Sequence, residues 1–185
     1  YEEFDVKSSI IIYVEADNIR DPVVLKEMDR VSSKINMYEN DRGEQDDVFS
    51  VQSLASLIKA ENAKPYVVGG LGGEGKNEIP TDDVIISKYL ARATIQELQG
   101  ILYINTYEVA IILIQLSDNA NYDEMLALTK DAIDHRGTDY SEMTITGSIA
   151  MQKAMQQQTF HYLKIVFPLA AVFVIIILFV FHRTI

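Results

Sequence analysis

Cysteine is absent from the 185 residues. Its absence excludes a disulfide framework, a thiolate zinc site and a cysteine nucleophile, and leaves the redox compartment open. Histidine is scarce, and His135, His161 and His182 lie too far apart in sequence to point to a metal pair. Basic charge is also short: 16 Lys and Arg face 27 Asp and Glu, for a formal net charge of -11. A surface of that sign repels a phosphodiester backbone, so no nucleic-acid partner is expected. The opening Tyr1-Glu2-Glu3-Phe4-Asp5 lacks the basic start and the apolar stretch of a signal peptide. With a first residue other than Met, the chain is read as an excerpt from a longer membrane protein.

Apolar residues are plentiful and uneven. Ile165 to Phe181 is an uninterrupted run of 17, near the lower limit for crossing a bilayer. Extended back to Tyr162 it covers 20 residues, about 30 Å as helix, which matches the hydrocarbon thickness. Lys164 can snorkel to the near interface beside Tyr162, while His182 and Arg183 mark the far end. Pro168 is placed in the first turns of the span, where a missing amide costs least. A buried core helix is the competing reading, and the absence of any interrupting polar residue favours the membrane. All 27 acidic side chains fall in residues 1–160, against 14 basic ones. By the positive-inside tendency, the acidic part is extracytoplasmic. The expected organisation is an extracytoplasmic domain over residues 1–160, with a Gly-rich insertion at about 61–80. A transmembrane helix and a short cytoplasmic stub over residues 161–185 follow it.

Within the soluble part, the β-branched and aromatic run Ile10-Ile11-Ile12-Tyr13-Val14 reads as a buried strand. Asp21 as N-cap and Pro22 at the first helical position open a helix whose stripe is Val24, Met28, Val31 and Ile35. Val48 to Val51 restores a strand, and Ser53 can cap a short helix through Leu54, Leu57 and Ile58. Five of the nine glycines fall in residues 69–75, which predicts a mobile loop or insertion. Pro80-Thr81-Asp82-Asp83 opens a further helix through Ile86, Tyr89, Leu90 and Ala93. Ile101 to Ile104 reads as a short strand, and Tyr107 to Leu116 as the most apolar, central one. Asn121 with Glu124 starts a helix whose stripe is Tyr122, Met125, Leu126, Thr129 and Ile133, and Gly137 ends it. Met143 to Thr146 is the last strand, broken by Gly147 before a helix that runs into the membrane.

The order predicts an α+β fold: a ferredoxin-like split βαβ sandwich with an inserted helix, followed by one transmembrane helix. Residues 8–16, 47–52, 107–116 and 142–147 are expected in one sheet. Helices 22–37 and 122–135 should pack on the same face of it, since each has a single apolar stripe.

Candidate chemistry is sparse. Glu39, Asp41, Glu44, Asp46 and Asp47 offer oxygen ligands for Ca²⁺ but depart from the EF-hand pattern, so a solvated acidic loop is expected. The glycine cluster fails the phosphate-loop pattern because Lys76 is followed by Asn77. No G-x-S-x-G elbow occurs. Met125, Met143, Met151 and Met155 invite a reading as a soft ligand-contacting surface, with core filling as the expected role.

Thr144-Ile145-Thr146-Gly147-Ser148, a helix, then Leu163, Phe167-Pro168-Leu169, the apolar run and Phe181-His182-Arg183 resemble a stretch of resistance-nodulation-division (RND) exporters. That stretch leads into the second transmembrane helix, and the likeness is to the MMPL-type and hydrophobe/amphiphile branch. Val48 to Ile58, the Ile79-Pro80-Thr81 opening of the inserted helix and Ala110 to Leu116 agree in the family's order, so the likeness covers most of the chain. Where the family usually has Phe-Arg, this chain has Phe181-His182-Arg183. The resemblance implies an extracytoplasmic porter domain from the first half of an exporter that handles hydrophobic or amphiphilic small molecules or lipids. It implies a multi-pass parent in the cell membrane, whose second porter domain and remaining helices are partners of this segment. Coupling acids belong to later helices; no Asp or Glu lies between His161 and Ile185.

The expected function is therefore that of a porter domain in a secondary-active exporter. The alternative is a single-helix, membrane-anchored extracytoplasmic ligand-binding or sensor module. Neither reading names a catalytic, cofactor-binding or metal residue, and substrate-contacting residues are unassigned. No cofactor is expected, and an enzyme is not, because nothing assembles a nucleophile, base and electrophile.

Overall fold

Alternating apolar residues pair β1 (Ser9–Glu15) with β3 (Val109–Leu116), antiparallel from Ser9 opposite Gln115 to Glu15 opposite Val109. The computed structural model describes residues 8–39, 47–66, 72–104 and 106–183. β2 (Val48–Ser53) flanks β3 and β4 (Glu142–Thr146) flanks β1, giving one four-stranded sheet of order β2-β3-β1-β4 in which every pairing is antiparallel. The four stretches expected in a single sheet are all there.

The period of two puts Ile10, Ile12 and Val14 with Ala110, Ile112, Ile114 and Leu116 on one side, all without solvent exposure. Each of the Ile, Val and Leu side chains contributes about 1.5–3 kcal/mol when fully buried. Helix α1 (Pro22–Asn36) covers this side with Val24, Leu25, Met28, Val31 and Ile35, and its N-cap Asp21 accepts from the Val23 amide at 2.8 Å. Helix α5 (Tyr122–Asp134) adds Met125, Thr129, Ala132 and Ile133 to the same core, with Asn121 accepting from Glu124 N. The two helices lie side by side, joined by Lys34 to Asp131 and by Arg30 Nη1 donating to Arg136 O at 3.1 Å. The other side of the sheet keeps Ile11, Ile111 and Leu113 only half-buried.

Between β2 and β3 lie α2 (Leu54–Ala63), α3 (Asp83–Leu90) and the short α4 (Ala93–Gln96). Ser53 ends β2 and caps α2 at once, in a reciprocal box with Ser56. The expected strand at 101–104 is reduced to an isolated bridge of Tyr103 with Ala110, because β2 stops at the level of Ile112 and leaves only a short edge of β3 free. β3 itself starts at Val109 rather than at residue 107. Tyr107 has φ 58°, outside strand geometry, and is held there by the Tyr103 ring stacked at 6.0 Å, the Arg20 guanidinium 4.4 Å from its own ring and Ile19 N donating to its carbonyl at 2.8 Å.

The chain divides into two compact units, Tyr1–Ile149 and Ala150–Ile185. The last helix, α6, runs unbroken from Ser148 to Arg183 over 36 residues. Pro168 therefore lies deep inside a helix and not in its first turns, because the polar stretch from Met151 to His161 is helical as well. Among the described residues α6 is the one helix long and apolar enough to cross a membrane, and its apolar window is wholly exposed.

The turn that follows β4 is close-fitted against β1. Gly147 has φ 101°, and a Cβ there would lie 2.9 Å from Ser9 O and 3.0 Å from Ile11 N. Gly147→Ala should therefore cost about 1–3 kcal/mol, with backbone rather than a side-chain tip in the way. Gly75→Ala, at φ 75° in open space, should cost no more than about 1 kcal/mol. Urea unfolding of the detergent-solubilised chain checks this, and equal midpoints for the two variants would contradict the close fit.

Candidate functional site

Helix α1 carries an unusual core residue. Glu27 falls on the buried side of the helix and has no solvent exposure. A buried carboxylate is tolerated when its lone pairs are filled, and the 137–141 turn fills them. Thr138 Oγ1 and Ser141 Oγ donate to it at 2.5 Å each, and the Tyr140 amide at 2.8 Å. Arg136, at the end of α5, donates to Ile133 O at 3.0 Å and Ser141 O at 3.1 Å and pairs with Asp139, while its buried Nε, without a hydrogen-bond partner, lies 3.9 Å from Glu27 Oε2. Gly137, at φ 97°, lets the Arg30 guanidinium pass where a Cβ would stand. The turn so fixed forms one wall of a cleft of about 740 Å³. Glu15 and Asp17 after β1, Glu108 before β3 and Glu142 at the start of β4 converge there with Asp139, Tyr140 and Arg136. Five carboxylates against one guanidinium favour cations over anions in this cleft.

A second arrangement is built on the end of α2. Glu61 pairs with Lys64 and with Arg92, whose Nη2 also donates to Gly72 O at 2.6 Å. Asn62, fully buried, donates to Glu78 O at 2.9 Å and accepts from Tyr89 OH at 2.8 Å and from Glu74 N at 3.3 Å. The amides of Gly73 and Gly75 reach Lys64 O at 3.1 Å, and those of Gly75 and Lys76 reach Asn62 O at 2.9 and 3.2 Å. These bonds occupy carbonyls that the helix end leaves open. Gly73 is required, since a Cβ would sit 2.2 Å from Glu61 O. The second half of the glycine cluster is thus a fastened strap and not the mobile loop expected from composition; residues 69–71 lie outside the described residues. Beside the strap, Tyr66, Ile85, Lys88, Tyr89 and Arg92 line a more apolar cleft of about 610 Å³, with Arg92 stacked 4.5 Å from the Tyr89 ring. Burial pushes the Tyr89 hydroxyl above its usual range, and Glu74 adds to the shift.

The other sequence candidates are dispersed. In the acidic loop, residues 40–46 lie outside the described residues, while Asp47 is buried and its carbonyl accepts from Ser117 N at 3.0 Å. Among the described residues, no three His, Asp or Glu side chains are grouped to hold a metal ion. Met125 is in the core, Met143 is half-buried on the core side of β4, and Met151 and Met155 are exposed on α6. They do not form one surface. Ser148 Oγ donates to Ser9 O at 3.3 Å and accepts from Ser9 N at 3.4 Å, so the first turn of α6 is tied to the start of β1. Glu27, Glu61, Asn62 and Arg92 were not anticipated as structural anchors. Their one sequence signal is a polar residue at a core position: Glu27 is three after Val24 and four before Val31, and Asn62 is four after Ile58.

Compared with known proteins, the chain matches no protein-family model, no curated protein and no solved structure.

Burial pushes the Glu61 carboxyl up, but the hydrogen bonds and charges of Lys64 and Arg92 outweigh it and hold the group below its usual range. A carboxylate depressed in the folded state stabilises above its unfolded pKa, roughly 4.3, and that contribution is lost as pH falls through the folded value. Amide protection at Gly73, Gly75 and Lys76 should therefore hold at neutral pH and weaken in acid below roughly pH 4. In Glu61→Gln protection should be lower at neutral pH and flat across this window. Hydrogen exchange with mass spectrometry reads both, and an unchanged acid response in the variant would rule the clamp out.

Proposed function

We propose that the chain is an extracytoplasmic porter domain with its following membrane helix, part of a secondary-active exporter of the RND superfamily in the MMPL and hydrophobe/amphiphile branch. On this reading the soluble unit is a ferredoxin-like split βαβ sandwich. The order β2-β3-β1-β4, with α1 and α5 as the crossovers, supports that assignment. The parent protein is multi-pass in the cell membrane, with residues 1–160 outside the cytoplasm, and moves hydrophobic or amphiphilic small molecules or lipids. Its proton-coupling residues lie on other helices, and a second porter domain completes the route.

The observation that carries the reading is the strand order together with the one long apolar helix that follows β4 among the described residues. Gly147, Ser148 and the buried Ile149, which close the first unit, are fitted against its own sheet. One helix by itself offers no sealed polar path and no counter-charge for proton exchange. The segment alone should transport nothing.

The test is deletion of residues 8–147 from the parent exporter, with membrane insertion of the remainder confirmed. Efflux of the hydrophobic substrate should vanish. Efflux at the normal rate would make the domain dispensable to transport and favour an anchored sensor or ligand-binding module instead. A sensor's gene would also encode at most two membrane helices, where an exporter's encodes roughly a dozen in two repeats.

A further inference from the structure

No acidic residue follows Glu142, yet α6 carries Lys153, His161 and Lys164 before its apolar run. At 3.6 residues per turn, Lys153, Gln157, His161 and Lys164 fall within about 80° of helix arc. Met151, Met155 and Tyr162, all more than half exposed, occupy the opposite side. Gln158 and Thr159 share that side, so the stem of α6 gathers its basic groups on one face and mixes apolar and uncharged polar residues on the other. The basic face runs down to the point where the apolar run begins at Ile165.

Helical rise decides which donors a bilayer meets. A headgroup layer is about 5–8 Å deep on each side of the hydrocarbon. Lys164 lies about 1.5 Å and His161 about 6 Å above Ile165 along the axis, inside that layer, whereas Gln157 at about 12 Å and Lys153 at about 18 Å lie beyond it. His161 and Lys164 are three residues apart, on one face, and both are exposed. An ammonium and an imidazole N–H at that depth match a phosphodiester oxygen, with no carboxylate on the helix to compete. A zwitterionic headgroup brings its own ammonium and gains little from a second cation. An anionic one has its charge left to satisfy.

We propose that the turn at which α6 enters the bilayer binds the phosphate of an anionic phospholipid through Lys164 and His161. This rests on α6 lying in a bilayer, and not on what the domain transports. The full chain is reconstituted into phosphatidylcholine vesicles with trace spin-labelled phosphatidylglycerol or spin-labelled phosphatidylcholine, and the immobilised fraction of each is measured. One juxtamembrane cation corresponds to roughly a five-fold preference for the anionic lipid. Carbonate extraction confirms that each variant remains inserted. The preference should fall several-fold in H161Q/K164Q, to the level that His182 and Arg183 at the far end sustain, and should remain at the unaltered value in K164R and in K153Q. Should the double variant fail to insert, K164Q compared with K164R decides the same point. A preference undiminished by loss of the Lys164 charge, or one that falls as far in K153Q, overturns the proposal. Equal immobilisation of the two lipids by the unaltered chain does so too, and competition by millimolar inorganic phosphate would reassign the site to a free anion.

Discussion

The β1–β3 pairing decides what every other element of the first unit can do. It aligns Ile10, Ile12 and Val14 with Ala110, Ile112, Ile114 and Leu116 on one side of the sheet, so the helices can find apolar surface there in quantity. A slip of one residue would turn Ser9, Tyr13 and Glu15 toward α1 and α5 instead. The pairing also sets where β2 and β4 add. Because β2 reaches only Ile112, the upper edge of β3 is left to Tyr103, and the strained Tyr107 is part of the turn that brings this segment back. The length of one edge strand thus explains the irregularity opposite it.

Two buried polar residues then hold the loops that the hydrophobic pattern does not specify. Glu27 gathers the 137–141 turn, and Asn62 gathers the strap at 74–78. Both sit on helices fixed by the core, and each satisfies backbone groups that would otherwise turn to water. Such anchors give positional specificity more than net stability, since much of the hydrogen-bond energy is spent on desolvating the side chain. Each anchor builds the wall of a neighbouring cleft. The shapes of both clefts depend on buried polar residues behind the wall, Glu27 and Asn62, as well as on the residues that line them.

Periodic and punctuated features were legible in the sequence: all four strands, the N-caps Asp21, Ser53 and Asn121, the opening of α3 within residues 80–83, and the apolar stretch of α6. Features that depend on a partner distant in sequence were not. Five glycines in seven residues read as mobile because composition registers lost packing but not a helix end waiting at Lys64 for amide donors. The start of β3 moved by two residues because a ring stack and a cation over Tyr107 outweigh its β propensity. Glu27 was passed over between Val24 and Val31 because an apolar stripe is read by its apolar members. A carboxylate inside that stripe has to be bonded by something, and the something lies more than a hundred residues away.

The length of α6 carries its own consequence. Thirty-six helical residues extend about 54 Å, and fitting all of them into about 30 Å of hydrocarbon would need a tilt beyond the roughly 40° that membrane helices adopt. A bilayer crossed by α6 would therefore leave part of the helix outside the hydrocarbon, and the composition says which part: Gln156, Gln157, Gln158 and His161 precede the first uninterrupted apolar residue. Pro168 has no amide to give the carbonyl of Lys164, four residues back. Deep in the hydrocarbon that orphan acceptor would cost several kcal/mol. At Lys164 it would fall where stem meets span, within reach of water and headgroup donors. With the apolar stretch in a bilayer, the one helix-breaking residue in α6 would stand where a lost backbone bond is cheapest.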